Sequence, residues 1–437
     1  VVATDERRRA VNEGARLAQQ LFDALAARTA DPPGVTRIAY GDGECAAFAL
    51  MAEAARSLGG AVDFDAAGNQ FLTLPGRDRS RTLYIGSHLD SVPHGGNFDG
   101  AAGVVLGLAL AAALAHLGRE PPVDLCVLCL RAEESCWFPH SYIGSKTALG
   151  RLDPAVLDEV RRSDTGETLA WHMRDLGFDP AAVRRGVSRI APDRTVGYIE
   201  PHIEQGPVLV DAGVPIGLVT GIRGSLRFRD AAFHGAYGHS GATPRRLRRD
   251  AVVAAAAFVT AMQEVWDGFE AQGHDLAVTF GMIGTDPAQH SFSKVAGEAR
   301  VCLDLRSLSA ETLAAVSRSV EEIAESLATR HGVRLALGPR SGSTPAVMTP
   351  AVVDRLVAAA AAAQVSTLMV PSGAGHDAAT FAAAGLPTGM VFIRNRNGSH
   401  NPDEHMAIAD LADGLAILVS LLLDFPVDSW RSAPASC

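Results

Sequence analysis

Apolar and polar positions along the chain repeat in two rhythms, one near 3.6 residues and one near two. Residues 5–27 mix charged and apolar side chains at helical spacing, which predicts a surface helix with one packed face. Asp31-Pro32-Pro33-Gly34 stops it. Residues 42–57 predict a second helix, ended by Gly59-Gly60. Residues 61–64 and 70–74 read as strands about the turn Ala67-Gly68-Asn69. The short apolar run 82–85 predicts a buried strand, 101–117 a buried helix, and 123–130 a further buried strand. Residues 150–194 are polar and helical with breaks at proline and glycine, and His172 among them reads as a surface histidine. Residues 195–199 predict another buried strand. Strands alternating with helices imply an α/β sheet covered on both faces.

From residue 217 the pattern changes. Strands are expected at 226–233, 276–283, 299–307 and 333–337, and helices at 250–269 and 310–330. The order β-α-β-β-α-β is that of the ferredoxin-like split unit. Gly217, Gly221 and Gly224 read as hinge positions at its start. The earlier rhythm then resumes with a helix at 350–363, a glycine-rich turn at 371–378 opening a helix, a strand at 388–393, a closing helix at 408–423 and a loose tail at 426–437. At 437 residues two domains are the default. The expected division is 1–216 and 342–437 for one domain and 217–341 for an inserted α+β domain.

Apolar residues make up 47% of the chain and charged residues 20%, a globular composition. The formal charge of −10 argues against nucleic acid, and the arginine runs at 7–9 and 245–249 read as solvated faces. The apolar run 101–117 is broken by Gly103 and Gly107 and falls short of the roughly 20 residues a membrane span needs. The charged N-terminus lacks an apolar segment, so no secretory signal is expected. Six scattered cysteines fit reduced thiols and a cytoplasmic protein. Cys126 and Cys129 stand three apart on a predicted strand and point to opposite faces, which disfavours a zinc–thiolate site.

The candidate chemistry gathers at strand ends. Gly86-Ser87-His88-Leu89-Asp90-Ser91 puts His88 and Asp90 on one face, so a metal ligand and the group fixing its ring are two residues apart. Asp99 follows on a glycine-bracketed turn. Adjacent Glu133 and Glu134 would repel unless a cation relieved one of them, leaving the other as a general base. His202 and His400 lie just after two further buried runs. Parallel sheets bind ligands at the carboxyl ends of their strands. In the inserted region His239 sits on a glycine-rich loop. Arg306 ends a strand, either as a bidentate clamp for a carboxylate or as a surface arginine paired with Asp304 or Glu298.

Together these motifs resemble the di-metal amidohydrolases that include N-carbamoyl-L-amino acid hydrolase, allantoate amidohydrolase, ureidoglycolate amidohydrolase and β-ureidopropionase, relatives of aminoacylases and carboxypeptidase-like metallopeptidases. The matching pieces run from Asp65-Ala66-Ala67-Gly68-Asn69 through the His88 motif and the glutamate pair to His202-Ile203-Glu204-Gln205-Gly206-Pro207, 238–244, Leu303-Asp304-Leu305-Arg306, 372–378 and Ser399-His400-Asn401-Pro402. The resemblance implies a mixed-sheet hydrolase domain with an inserted ferredoxin-like domain. It implies two divalent ions, zinc or else manganese, cobalt or nickel, sharing a hydroxide that attacks the substrate. His88 and His202 would hold one ion, Glu134 and His400 the other, and Asp99 would bridge them. Asp90 would support His88, and Glu133 would carry the proton. Gln205, His239, Arg306 and Gly375 would hold a small substrate through its carboxylate and carbonyl, with His239 also polarising the scissile bond. A homodimer through the inserted domain and a cis bond between Asp99 and Gly100 follow from the same likeness.

Two departures stand out. The residues after the glutamate pair are Ser135-Cys136-Trp137-Phe138, where relatives often carry a glycine-serine-arginine segment; a bulky Trp137 near the base is expected to reshape the pocket. Residues 293–297 replace a substrate-touching asparagine segment, and the loop 289–291 with His290 is expected to take that contact over. The implied reaction is hydrolysis of the C–N bond of an N-carbamoyl or ureido acid. The alternatives are an N-acyl amino acid amidase or dipeptidase on the same metal core, or a binding protein that kept the fold and lost the metals.

Overall fold

The protein is described from a computed structural model, in which residues 2–424 are described. The tail expected at 426–437, with Cys437, lies outside the described residues. The chain forms two compact units, one from the residues up to Thr220 together with those from Met348 on, the other Gly221–Val347.

The larger unit begins with helix α1 (Thr4–Arg28), which buries Ala10, Ala18, Leu21, Phe22 and Leu25 along one face. The stop at residues 31–34 is a small hairpin pairing Ala30–Asp31 with Gly34–Val35 around a cis Pro32–Pro33 bond. Helix α2 (Asp42–Ser57) follows, then strands β1 (Ala61–Phe64), β2 (Gln70–Leu74) and β3 (Asp78–His88), helix α3 (Ala101–His116), and strands β4 (Val123–Leu130), β5 (Thr195–Ile203) and β6 (Ile216–Ile222). In the smaller unit come β7 (Gly224–His234), α4 (Ala251–Ala271), β8 (Ala277–Gly284), β9 (Glu298–Ser307), α5 (Ala310–His331) and β10 (Arg334–Ala336). The larger unit is completed by α6 (Pro350–Ala363), β11 (Thr367–Ser372), β12 (Thr388–Ile393) and α7 (Ile408–Asp424).

The large sheet runs β6-β12-β5-β3-β4-β2-β1, with β11 paired to β6. Its four middle strands, β12, β5, β3 and β4, are mutually parallel; β6 and β2 run antiparallel to them, and β1 pairs antiparallel with β2. Strand β4 lies on one side of β3 and the next strand, β5, on the other, so the chain reverses direction across the sheet at β3. Such a switch point opens a crevice beyond the strand ends.

Strands β6 and β11 were not expected from the sequence. Gly217, read as a hinge, lies within β6, where a Cβ would come within 2.9 Å of Val370 and 3.2 Å of Phe392. It serves close packing of the sheet, and the chain therefore leaves the larger unit later than residue 216. Helix α3 is buried from Ala101 through Leu114 and packs on the sheet beneath the site. A Cβ on its Gly103 would lie 2.2 Å from the Pro201 carbonyl oxygen and 2.8 Å from Ser87 Cβ. Gly103→Ala should therefore destabilise the protein by about 1–3 kcal/mol, read as a lower thermal midpoint, despite alanine's better helix propensity. An unchanged midpoint would show that helix and sheet can separate freely there.

Two expectations fail in this unit. His172 is buried, edge-on to Phe138 and Trp171, with Nε2 2.9 Å from Thr165 Oγ1. Trp137 is also buried; its indole N–H donates to the Ser91 carbonyl at 2.7 Å and its ring joins Tyr40, Phe138 and Leu169 in an apolar cluster. It is packed as core, which an isolated motif comparison could not reveal.

In the smaller unit the sheet order is β8-β9-β7-β10, antiparallel throughout, the arrangement expected of the split β-α-β-β-α-β unit. Asp250 caps α4 and Ser309 caps α5, which ends at Gly332 with φ +62°. Phe228, Phe233, Phe258, Val301 and Val316 form its separate core.

Candidate metal centre

The four parallel strands deliver their carboxyl ends to one edge of the sheet. His88 is the last residue of β3, His202 the next to last of β5, and Glu133 and Glu134 follow β4 after two residues. His400 lies in the loop after β12 and Asp99 in the loop between β3 and α3. Three of these loops bend through a left-handed backbone at non-glycine residues, His94 (φ 49°) between β3 and α3, Ala132 (φ 51°) beside the glutamate pair and His400 itself (φ 61°). Such conformations persist where surroundings fix them.

Asp99 is the centre of the arrangement. Its Oδ1 lies 3.1 Å from His202 Nε2 and 3.8 Å from His88 Nε2. Its Oδ2 lies 3.3 Å from His400 Nε2, which is in turn 3.1 Å from Glu134 Oε1. One carboxylate thus faces two ligand sets, His88 with His202 and Glu134 with His400, and each trio has its donor atoms within 4.8 Å of one another. Asp99 Oδ1 is buried and makes no hydrogen bond. Glu133 Oε2 is 3.9 Å from His88 Nε2, beside the first trio but outside both.

The surrounding charges are held from behind. Asp90 accepts the backbone N–H groups of Glu133 and Glu134, each at 3.0 Å, and lies 3.4 Å from His88 Nδ1. Gln205 Nε2 donates to Asp99 Oδ2 at 3.0 Å, and the Ser399 hydroxyl donates to the same oxygen. Glu404 accepts from the Phe98 and Asp99 backbone at 2.8 and 3.1 Å. Fully buried Arg37 donates to the Leu89 carbonyl at 2.6 Å and the Asp99 carbonyl at 3.4 Å.

The electrostatics follow from this packing. Burial raises the Asp99 carboxyl, but its contacts with His202 and His400 outweigh that and hold it well below the usual range. Burial pushes Glu133 well up; His88 opposes, while Glu134, Asp377 and Asp90 add to the rise. Asp99 and Glu134 lift His400 to about 10. An acid excess of this kind is what a cation neutralises.

The comparisons with known proteins decide the family. The model of peptidase family M20/M25/M40 matches residues 84–424. The chain belongs to that family. An N-carbamoyl-L-amino acid amidohydrolase of Geobacillus stearothermophilus is 33% identical over 409 residues, 93% of this chain and 97% of the relative. The allantoate amidohydrolase of Escherichia coli is 29% identical, covering 90% and 93%. Among solved structures, a hydantoinase/carbamoylase family amidase from Burkholderia ambifaria superposes with a TM-score of 0.81 at 30% identity, covering 94% of this chain and 96% of that one.

This M20 member is therefore a metal-type hydrolase, and its residues fit the two ions such enzymes use. Imidazole and carboxylate donors are those zinc takes, and the orphaned Asp99 Oδ1 lacks only a cation. Among the described residues no cysteine enters a metal-competent group; Cys126 and Cys129 are buried free thiols in β4.

The peptide between Asp99 and Gly100 is not cis, contrary to expectation; among the described residues Pro32–Pro33 is the cis bond. Gly100 turns the chain instead by a positive φ of 67°, with the His88 ring packed where a Cβ would stand, 2.5 Å away. Sequence reasoning missed Arg37 and Glu404, and also the buried Glu200, which accepts from Ser87 Oγ at 2.7 Å and from the Ala378 backbone at 2.6 Å. His376 stacks edge-on to His202, with ring centroids 4.5 Å apart, directly after Gly375. Gly375 leaves room for the Tyr142 hydroxyl, which a Cβ would meet at 1.7 Å.

Three expected substrate residues belong to the smaller unit. His239 is exposed, its Nδ1 accepting from the Gly241 and Ala242 backbone at 3.1 and 3.2 Å. Arg306 contacts Asp304 through Nε and Nη2 at 3.2 and 2.9 Å, the surface pairing weighed above. His290 pairs with Thr285 Oγ1 at 2.6 Å and lines a hollow of about 500 Å³ with Phe292 and Tyr237.

Asp90→Asn should weaken metal binding about 10–100-fold, because one amide oxygen cannot accept from both glutamate backbones and orient His88. Zinc competition with a chelator measures this. Wild-type affinity in the variant would show that Asp90 is not what sets the ligands.

Proposed function

We propose that this protein hydrolyses the C–N bond of an N-carbamoyl amino acid or related ureido acid, with two divalent ions held at Asp99. The supporting observation is the division of the Asp99 carboxylate between two ligand sets, with Glu133 alongside but in neither. The named relatives, amidohydrolases of carbamoyl amino acids and allantoate, point to the substrate class.

In this reading His88, His202 and Asp99 would hold one ion, and Asp99, Glu134 and His400 the other, zinc suiting the donors best. Ions bound there would supply Lewis-acid polarisation of a carbonyl and a water acidic near neutral pH. Glu133 takes a proton from the attacking water as the new C–O bond forms. It then gives the proton to the leaving nitrogen as the C–N bond breaks, so an amine departs and carbamic acid decomposes to ammonia and carbon dioxide. Burial keeps Glu133 basic enough for both steps. Gln205 donates to Asp99 while its own Oε1 is buried without a partner, a position from which to accept a ureido N–H.

Arg306 is assigned to the substrate carboxylate, His239 to the scissile carbonyl, and Gly375 and His290 to further contacts. We also propose a homodimer through the inserted domain, where strand β8 is a sheet edge with exposed Met282 and Ile283. A single-protomer mass by light scattering would overturn that. The five described cysteines are free thiols, which fits a reducing, cytoplasmic compartment.

The test is release of the free amine from a panel of N-carbamoyl and ureido acids beside N-acetyl amino acids and dipeptides, with ammonia measured alongside for the carbamoyl and ureido members, after reconstitution with zinc, manganese, cobalt or nickel. Turnover of the carbamoyl or ureido members is expected. Turnover of N-acetyl or dipeptide substrates alone would replace this reading with the amidase or dipeptidase.

A further inference from the structure

The smaller unit has a second hollow, of about 1130 Å³, which plays no part in the reaction above. It lies where the segment before α4 meets the end of α5, and Arg245, Arg246, Arg248, Arg249, Arg330 and His331 line it. The side chains of Arg245, Arg246, Arg249 and Arg330 are exposed and have no hydrogen-bonding or ionic partner among the described residues. Arg248 donates to the Thr243 carbonyl at 3.0 Å and to that of Ser240, which fixes the loop. The one acid in the lining, Asp250, is engaged in capping α4, accepting from Val252 and Val253 at 3.1 and 3.2 Å. Five guanidinium groups against one carboxylate leave four positive charges uncompensated, in a chain whose net charge is −10.

Like charges that converge on one hollow repel one another unless an anion sits between them. A solvated arginine run would spread along one segment, but here residues 245–249 and Arg330, far apart in sequence, face the same space. We propose that this hollow binds a small anion carrying several phosphate groups. Guanidinium forks match phosphate oxygens in pairs, and a triphosphate supplies a charge near the four that the site leaves open. The apolar lining is Leu247 and Val253, and the single ring is the His331 imidazole, with no Phe, Tyr or Trp. Recognition therefore reads phosphates and ignores the nucleoside. A nucleic-acid groove would combine a basic channel with a row of stacking rings, and this lining holds one imidazole alone.

The test uses the full-length enzyme at low ionic strength, titrated with inorganic tripolyphosphate, orthophosphate, ATP, CTP and a single-stranded oligonucleotide. A triple variant, Arg245→Glu, Arg246→Glu and Arg330→Glu, is compared with a control reversing three exposed charges elsewhere, Arg56→Glu, Arg174→Glu and Arg185→Glu. Both keep the metal centre, so chelation by phosphates contributes equally, and circular dichroism with thermal melting checks folding. Should the triple variant not fold, Arg245→Gln with Arg246→Gln takes its place. Tripolyphosphate, ATP and CTP are expected to bind one per chain, alike within about twofold and at least about tenfold tighter than orthophosphate, with affinity falling as salt rises. The triple variant should lose at least about thirtyfold and the control nothing. Equal losses in both variants, no saturable binding, preference between ATP and CTP, or an oligonucleotide outcompeting tripolyphosphate would each overturn the proposal.

Discussion

Glu133→Gln is expected to cut turnover about 10²–10⁴-fold while leaving the metal content unchanged. The amide keeps the size of the side chain and the backbone N–H that donates to Asp90 at 3.0 Å, so the loop has no reason to move. It loses only the ability to take and return a proton. Glu133 lies outside both ligand trios, 3.9 Å from His88, so no donor to either ion is removed. Parallel measurement of kcat and of bound metal separates the two roles. A variant that turned over normally would move the base to another group, and one that lost metal would make Glu133 a ligand.

The second large effect is expected at Asp99. Asp99→Ala should take bound metal from about two ions per chain to near none, because both trios share this carboxylate. His400→Ala should differ in kind. It removes one member of the Glu134 trio and leaves His88, His202 and Asp99 intact, so about one ion should remain. Metal analysis after gel filtration reads the contrast. Equal loss in the two variants would show that the ions bind only as a pair; full retention in Asp99→Ala would break the bridge assignment.

Much of this site was legible because its residues interrupt strong patterns. His88, His202 and the glutamate pair each stand where an apolar strand gives way to polar chain, and the expected strands there were found. Asp90 was legible from the two-residue spacing. Arg37 was not: it precedes Ile38 in a stretch without periodicity, and its burial depends on Leu89 and Asp99 closing over it. Glu404 sits in a polar turn and becomes buried only because the chain returns past Phe98. Trp137 and His172 were misread for the same reason, since the cluster that buries them joins segments far apart in sequence. Strands β6 and β11 escaped because glycine and proline within them mimic loop signals. In the smaller unit the helix and strand pattern fixed the sheet order, but the standing of Arg306 between substrate clamp and partner of Asp304 is a matter of side-chain pairing that periodicity does not carry.

The position of β12 sets an order of assembly. The strand contributed almost last by the chain pairs between β5 and β6, in the interior of the sheet. A nascent chain emerging from the ribosome can complete the trio of His88, Asp99 and His202 early, yet His400 is made only after β12. Until then β5 and β6 each present an open edge, the state in which strands recruit the wrong partner. A stop codon between the end of β6 and the start of β12 would thus give an aggregation-prone open sheet in place of a slower enzyme.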